Sequence, residues 1–344
     1  MKPRQAVQLV ALLAALLLLV ALIARIGPRT IAQQTAAAGV GAVWLLVAYA
    51  AGTALGALPW YVVLPVDARP GIRATLESRF AASGANAILP LFGLGGEPLR
   101  LLWMRPGDRA TGIAAIVVDR LVYVVASAVF LAGAALAALG LTTMPSRYAL
   151  GAALGALALL AIALVAMWLV ARHRIAGRID RMIRRWRPGD LPDDADFAPA
   201  IDRAIARILA RRDRIVAALA LSVVARVVLG AEIYAGFHAL GVALSPELAL
   251  VLAGVPVVLA FAGAIVPSQI GLQEGSLALA ASMTGLLPAT AVAVVLLQRI
   301  RQIVTGVIAW VLVARRTGDP AAASLGSSPC TRPTGSPNTA ARVR

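Results

Sequence analysis

Residues 81–100 read AASGANAILPLFGLGGEPLR, an apolar stretch that is interrupted by proline, glycine and charge. Pro90 removes a backbone donor and stops a helix, and the glycines after it let the chain turn. In lipid every backbone polar group must be hydrogen-bonded internally, so such a break requires surroundings of protein or water. The whole interrupted stretch, 80–104, therefore predicts a broken helix inside a membrane bundle.

A second interrupted stretch, 246–286, contains a similar break, and its residues 266–275 read VPSQIGLQEG. Both breaks have a proline, then a Gly-Leu pair, then a glutamate, which is Glu97 in the first and Glu274 in the second. Broken helices at matching positions of two inverted halves are typical of a transporter's central site. We therefore expect inverted-repeat character, with one broken-helix hairpin in each half.

The remainder of the chain consists largely of uninterrupted apolar runs. Over the full chain of 344 residues, 60% of the residues are hydrophobic and 14% are charged, whereas about a quarter of the residues in a soluble domain are charged. This composition excludes an ordinary soluble enzyme, and the single cysteine, Cys330, excludes an intrachain disulfide. A helix needs about 20 apolar residues to cross a membrane. Six runs have that length: 5–26, 37–63, 110–141, 147–171, 215–240 and 288–314.

The basic residues predict the orientation of these runs. The net charge of +16 could indicate nucleic-acid binding, but the arginines lie between apolar runs, where the positive-inside rule places them. The loop 172–214 carries twelve arginines against seven aspartates, and 64–79 contains Arg69, Arg73 and Arg79. We expect both loops and both termini on the cytoplasmic face of the bacterial inner membrane. The expected partners are membrane lipids with anionic headgroups, not nucleic acid.

The fold class that follows is an all-α polytopic membrane bundle formed by residues 1–316. With both termini inside, six full spans require each interrupted stretch to leave and return on one face; if both stretches cross, there are eight. In the basic loop, two apolar stripes recur at helical spacing and predict interfacial helices with their apolar faces in lipid. The first stripe is Ile175, Ile179, Met182, Ile183 and Trp186, and the second is Ile201, Ile205 and Ile208. The tail 317–344 lacks periodicity and predicts disorder.

Charged residues within the apolar stretches are the candidates for function. Each costs about 2.5–3.5 kcal/mol at the centre of a span, so they should form pairs or line water. Glu97 and Arg100 are three residues apart and can face the same way, whereas Arg299 and Arg301 should point to different sides. The candidate lipid-binding or translocation residues are Asn86, Pro90, Glu97, Arg100, Asp119, Arg120, Glu232, Pro267, Gly271, Glu274, Arg299 and Arg301.

Two interpretations of these charges remain open. In the first, Arg100, Arg120 and Arg299 surround a lipid phosphate, since guanidinium binds phosphate bidentately, and the carboxylates pair with them or carry protons. In the second, the charges are interhelical salt bridges, and Glu97 and Glu274 stabilise the first turn of a helix, as Pro98 suggests for Glu97. Arg226 is close enough to the basic loop for its side chain to snorkel to the interface.

Several of these residues form a pattern that resembles a known family. The pattern comprises Asn86, Leu89-Pro90, Gly95-Gly96-Glu97, Arg100, Asp119-Arg120, Val266-Pro267, Gly271-Leu272-Gln273-Glu274-Gly275 and Leu297-Gln298-Arg299-Ile300-Arg301. It resembles the flippase-like transmembrane domain of lysylphosphatidylglycerol synthases, up to about residue 316. It is similar in detail to stand-alone members associated with hopanoid biosynthesis. The resemblance implies translocation of a phospholipid or hopanoid-type lipid. Full synthases also carry a large soluble aminoacyl-transferase domain, and only 28 residues follow Arg316, so we expect no enzyme activity.

Other chemistry lacks a motif in the sequence. There is no Gly-x-x-x-x-Gly-Lys-Ser/Thr loop, no Gly-x-Ser-x-Gly elbow and no His-Glu-x-x-His pair. Neither His173 nor His238 has other ligands at metal-binding spacing, so we expect no metal and no cofactor. The alternative to a lipid carrier is a non-transporting membrane scaffold or subunit for a lipid-modifying enzyme.

Overall fold

The architecture comes from a computed structural model of the chain. It describes residues 29, 33, 36–88, 95–141, 146–172, 177, 197–262, 269 and 271–317. Within these residues the protein is all-α, with ten α-helices and no strand. The helices are α1 (Ala42–Leu55), α2 (Leu58–Val63), α3 (Ile72–Ile88), α4 (Arg109–Gly140), α5 (Ser146–Arg172), α6 (Phe197–Ala210), α7 (Arg212–Ala239), α8 (Pro246–Ala262), α9 (Leu272–Met283) and α10 (Pro288–Thr317).

Five helical segments are long and apolar enough to cross a membrane: Gly39–Val63, Pro106–Gly140, Ala153–Val170, Arg212–Ala239 and Pro288–Thr317. They lie at five of the six predicted apolar runs and confirm that these runs are long apolar helices, while the number of spans stays a prediction. The sixth, 5–26, and the predicted disordered tail lie outside the described residues, apart from Thr317, which ends α10. The first described segment is divided at Gly56 and Ala57, where α1 gives way to the short α2.

Helix α4 lies at the centre of the bundle and packs against α5, α6, α7 and α8. Its 32 residues bury small and branched side chains along most of its length. One apolar core lies around its second half, where Phe130 and Leu131 meet Phe237, Leu252 and Leu277. A second core lies around its first half. The members of the second core include Trp60, Val63, Met104, Ala114, Val118, Val122, Ile201, Ile205 and Ile208.

Helix α6 differs from its predicted role as an interfacial helix. Its apolar stripe, Ile201, Ile205 and Ile208, is buried against α4 in the second core. The prediction that this stripe faces lipid is therefore wrong. An amphipathic stripe can be buried in lipid or in protein, and the sequence periodicity is the same in both cases. The first predicted stripe, Ile175 to Trp186, lies in 173–196, which is outside the described residues except for Gly177.

The first interrupted stretch folds back on itself. Helix α3 is followed, after the break, by a 3-10 helix, Glu97–Trp103, that packs against α3. The N-terminal residues of this return meet the middle of α3: a Cβ added to Gly96 would lie 2.0 Å from the Ala82 carbonyl oxygen. Its last residue meets the start of α3, because the indole N–H of Trp103 donates to Glu77 Oε2 at 3.2 Å. Both ends of this hairpin, 72–103, therefore lie at the same end of the bundle.

The base of the hairpin is held by charge. Partial burial raises the pKa of Glu77, but hydrogen bonds from Arg73 and Trp103 outweigh it and leave that pKa below its ordinary value. Glu77 is thus ionised at neutral pH. Arg316, at the end of α10, donates to the Leu102 carbonyl at 3.1 Å, so the basic end of α10 lies beside the same base.

The second interrupted stretch contains α8 and α9, which pack against each other. Across the break, Gln269 donates through Nε2 to the Leu259 carbonyl at 2.9 Å. Gly271 begins α9 with φ at 76°, a left-handed conformation that glycine adopts without steric cost. Helix α8 has only 17 residues, and its apolar part, Pro246–Ala260, is shorter than a membrane span.

Candidate functional site: a buried arginine–carboxylate cluster

The most highly charged buried site surrounds Glu97, at the start of the 3-10 helix. Arg100 Nη1 lies 2.9 Å from Glu97 Oε2 and 2.9 Å from Asp119 Oδ2. Arg120 Nη2 lies 3.1 Å from Glu97 Oε1, and Arg79 Nη1 lies 4.0 Å from the same oxygen. We call these five residues the Glu97 cluster. It joins α3, the 3-10 helix and α4, so the break in the first hairpin is fastened to the central helix.

The pairing crosses between neighbours on α4. Asp119 pairs most closely with Arg100, while Arg120 lies nearer to Glu97 than to Asp119, which is 3.5 Å away. Adjacent residues of a helix point about 100° apart, so each of the two needs a partner elsewhere. The expectation that Glu97 and Arg100 face the same way is confirmed.

Asn86 positions Glu97 from the opposite arm of the hairpin. Its Oδ1 accepts the backbone N–H of Gly96 at 2.7 Å, and its Nδ2 donates to Glu97 Oε1 at 3.4 Å. The amide thus satisfies one backbone donor at the break and one carboxylate oxygen. This explains why an asparagine on α3 and the Gly-Gly-Glu sequence occur together.

Aromatic rings cover two arginines of the cluster, Arg100 and Arg120. The guanidinium carbon of Arg100 lies 4.3 Å from the Trp60 ring centroid, and that of Arg120 lies 5.0 Å from the Tyr123 ring. Arg226 stacks on the same Tyr123 ring at 4.2 Å and donates to Ser127 Oγ at 2.7 Å. Such cation–π contacts stabilise a desolvated guanidinium. The Arg226 guanidinium thus lies between α7 and α4 and joins the two helices, and snorkelling of this side chain to the interface stays a prediction.

The Glu97 cluster carries an excess of positive charge. Three arginines face two carboxylates, and Arg79 Nε, Arg120 Nε and both Nε and Nη2 of Arg100 are buried without a hydrogen-bond partner among the described residues. The side chains of Arg120 and Arg79 are 20% and 12% exposed, whereas that of Arg100 is fully buried. An anion that reached the cluster would therefore meet Arg120 and Arg79 first.

A second ion pair lies at the other break. Glu274 accepts the Gly271 backbone N–H at 2.8 Å through Oε2 and binds Arg299 Nε on α10 at 3.0 Å through Oε1. Arg299 also donates to Gln302 Oε1 at 3.0 Å. Glu274 therefore both caps the start of α9 and pairs with the next helix, which are the two contacts that the second, structural interpretation gives it. In each hairpin, a glutamate after the break pairs with an arginine of the helix that follows.

A third pair links α7 to α10. Arg301 Nε lies 2.7 Å from Glu232 Oε1, and its guanidinium carbon lies 3.8 Å from the Tyr49 ring centroid of α1. Arg299 and Arg301 thus point to different partners, as predicted from their spacing. The described residues contain no group of three or more His, Cys, Asp or Glu side chains arranged to hold a metal ion.

Comparison with known proteins identifies the family. The profile described as lysylphosphatidylglycerol synthase TM region matches residues 8–309. The chain belongs to this family. No curated protein and no solved structure matches it significantly. The matched range contains both hairpins and all three ion-paired groups, so the family resemblance noted from the sequence is confirmed. Membership supports a membrane protein related to lipid handling, and the hopanoid-associated branch stays a prediction.

The geometry of this lysylphosphatidylglycerol synthase TM region brings together some predicted site residues but not all of them. Asn86, Glu97, Arg100, Asp119 and Arg120 form one site. Arg299 pairs with Glu274, while Arg100 and Arg120 both pair with Glu97, and a single phosphate site built from the three arginines stays a prediction. Pro90 and Pro267 lie outside the described residues.

Arg79 is the site residue that sequence reasoning missed. It was predicted to lie in a cytoplasmic loop, 64–79, but it lies on α3, which begins at Ile72, and its side chain is nearly buried beside Glu97. That part of the loop prediction is wrong. The available signal was its helical spacing from Asn86: seven residues, or two turns, place both side chains on one face of α3.

Proposed function

We propose that this protein translocates a lipid with an anionic headgroup across the bacterial cytoplasmic membrane, with the Glu97 cluster as the headgroup site. The observation that carries the proposal is the cluster's excess of one positive charge in a buried place, with guanidinium nitrogens that have no partner among the described residues. Keeping five charged groups inside a membrane bundle is costly unless they pair or bind a ligand.

The geometry suggests how a phosphate would bind. Arg120 and Arg79 are the more exposed arginines and would donate to the phosphate oxygens, since guanidinium and phosphate match in planar hydrogen bonding. Glu97 would then give up part of its contact with Arg120, while Asp119 and Glu97 keep Arg100 in place. In the absence of lipid the two carboxylates neutralise most of the positive charge, which keeps the empty site stable.

The two broken hairpins provide the movement that transport needs. Each pairs a glutamate after the break with the following long helix, Glu97 with α4 and Glu274 with α10. We propose that these pairs are released and remade as the two halves rock about the site, which exposes it to each leaflet in turn. In this proposal the two hairpins form an inverted repeat and both termini lie in the cytoplasm. The protein moves the lipid without changing it chemically.

Reconstitution of the purified protein in vesicles tests the proposal. Movement of a fluorescent anionic phospholipid between leaflets is measured with a membrane-impermeant quencher, for the native chain and for Glu97→Gln. The matched control is Glu247→Gln, because Glu247 is an exposed glutamate in the first turn of α8. We expect Glu97→Gln to slow translocation by about tenfold or more, equivalent to about 1.4 kcal/mol in the barrier, and Glu247→Gln to leave it unchanged.

A second pair of variants separates site residues from general charge. Arg79→Gln removes a guanidinium of the cluster, whereas Arg73→Gln removes one that is on the same helix and exposed. We expect only Arg79→Gln to slow translocation. If the native protein moves no lipid, or if neither Glu97→Gln nor Arg79→Gln changes the rate, the carrier proposal is wrong and a scaffold role takes its place.

A further inference from the structure

An apolar groove of about 420 Å³ lies between α3, the 3-10 helix and α10, beside the Glu97 cluster. Its residues on α10 recur every three or four positions and so form one face of that helix. The groove exists because the two helices meet through small residues: a Cβ added to Gly84 would lie 2.4 Å from the Ala309 Cβ. The lining residues are Ala81, Ala85, Leu99, Gly306, Ala309, Trp310, Val313, Ala314 and Thr317.

The dimensions of the groove fit a single hydrocarbon chain. From Gly306 to Thr317 along α10, the rise of about 1.5 Å per residue gives a length of about 16 Å. This is about half of the ~30 Å hydrocarbon core, which is the depth of one leaflet. A membrane-spanning helix, about 30 Å long and at least 10 Å across, has several times the volume of the groove and could cover it but not fill it.

One end of the groove is cationic. At its outer end α10 finishes with Arg315 and Arg316, and Arg316 is fixed to the Leu102 carbonyl at the base of the hairpin. Ala85 and Leu99 of its wall are next in sequence to Asn86 and Arg100, so the groove is built on the same hairpin that contributes to the Glu97 cluster. A cationic mouth and an apolar floor match an anionic phospholipid, with its headgroup at the mouth and its tail inside.

We infer that this groove binds one acyl chain of an anionic glycerophospholipid from the leaflet that faces Arg315 and Arg316. The inference rests on the proposed function for its role, since a tail held here keeps the lipid beside the headgroup site before translocation. The binding itself requires no transport. The acyl chain packs along Ala85, Leu99, Ala309 and Ala314, and Trp310 forms the exposed edge of the groove.

Photolabelling of the full chain in vesicles tests the inference. The probe is phosphatidylglycerol with a diazirine in the middle of one acyl chain, at trace level in phosphatidylcholine, and labelled peptides are mapped by mass spectrometry. We expect labelling concentrated in 306–317 and 81–85. Ala314→Phe, at an exposed position of the groove, should reduce that labelling about five-fold. Ala85→Leu fills the opposite wall and should have the same effect.

Ile308→Phe is the matched control, because Ile308 is 44% exposed on the side of α10 that faces away from the groove. It should leave labelling unchanged. Equal labelling of all exposed apolar surfaces, no decrease with Ala314→Phe and Ala85→Leu, or no labelling because residues 5–26 cover the groove would each overturn the inference. A phosphatidylcholine probe that labels as strongly as phosphatidylglycerol would overturn its anionic part.

The outcome is separable from that of the proposed function. Groove labelling in a protein that moves no lipid would refute transport and leave the acyl site standing. Conversely, translocation that depends on Glu97 without labelling of the groove would refute the acyl site alone.

Discussion

At the scale of single residues, the Glu97 cluster is a set of charges in which every carboxylate holds more than one arginine. Arg100 is fully buried between Glu97, Asp119 and the Trp60 ring. Desolvating these groups costs several kcal/mol for each ion, and their mutual attraction offsets this only while the set is complete. Removing one carboxylate therefore raises the excess of buried positive charge from one to two.

Asp119→Asn tests this dependence. The substitution keeps the size of the side chain but removes the charge that faces Arg100, and we expect it to lower the free energy of unfolding by about 3–5 kcal/mol. Denaturant unfolding of the purified protein in detergent gives the measurement. Asp213→Asn is the control, because Asp213 and Arg211 form an exposed pair, and such a pair contributes about 0–1 kcal/mol. Equal effects of the two substitutions would contradict the proposed mutual compensation.

Sequence reasoning found most of this site at the residue scale. A carboxylate or guanidinium inside an apolar run is costly wherever it lies, so Glu97, Arg100, Asp119 and Arg120 could be selected without a structure. Arg79 could not be selected in that way, because it follows Arg73 and Glu77 in a polar segment that has the composition of a loop. Its burial depends on the return of the chain after the break.

At the scale of elements, the first hairpin depends on close contact between its two arms. Gly96 lies directly against the backbone of Ala82 on α3. A side chain at this position cannot be accommodated by rotating a neighbouring side chain, since the atom that it would meet belongs to the main chain. Glycine at position 96 therefore serves two purposes: it lets the chain turn, and it lets the two arms of the hairpin pack closely.

Gly96→Ala should open the hairpin and misplace Glu97. The added Cβ would lie 2.0 Å from the Ala82 carbonyl oxygen, so we expect translocation to fall about tenfold and the unfolding midpoint to decrease. Gly133→Ala is the control, because a Cβ on Gly133 in α4 meets nothing within 4 Å. That change should be neutral or slightly stabilising, since alanine favours helix more than glycine does. A fully active Gly96→Ala protein would refute this close contact.

Helix α6 offers a second test at this scale. Ile205 is 4% exposed and packs in the second core, whereas an isoleucine that faces lipid loses little when it is shortened. We expect Ile205→Ala to cost about 2–5 kcal/mol of unfolding free energy, as core truncations do. Ile162→Ala on α5, at a side chain that is 65% exposed, should cost much less. If the two variants are equally stable, α6 lies in the membrane interface after all.

At the scale of the whole molecule, the two hairpins decide the topology. Glu77 and Trp103 join the two ends of the first hairpin, and Arg316 lies beside them. The second hairpin joins α7 to α10, both of which are long enough to span. If each hairpin enters and leaves on one face, the number of full spans is six. An even number of spans puts both termini on the same face, as expected for cytoplasmic termini.

Labelling with an impermeant thiol reagent tests this topology in a Cys330→Ser background. Gly71→Cys and Gly107→Cys flank the first hairpin, and Ser245→Cys and Leu287→Cys flank the second; all four positions are exposed. We expect the first pair to be labelled from the cytoplasmic face and the second pair from the opposite face. Labelling of Gly71→Cys and Gly107→Cys from different faces would mean that the first stretch crosses the membrane.

The sequence by itself determined that the chain is a helical membrane protein, where its long helices run and which charges are too costly to be incidental. These properties depend only on residues that are close in sequence, because the hydropathy of a segment and the cost of desolvating a charge do not depend on which helices are neighbours. Only the tertiary structure decided the partners: Arg79 with Glu97, Arg299 with Glu274, Arg226 on Tyr123 and the stripe of α6 against α4. The partner of a side chain depends on which helices face each other, and this is decided by the packing of the whole bundle. The same polar or apolar stripe could pack against any of several neighbouring helices, so the sequence pattern alone does not select one.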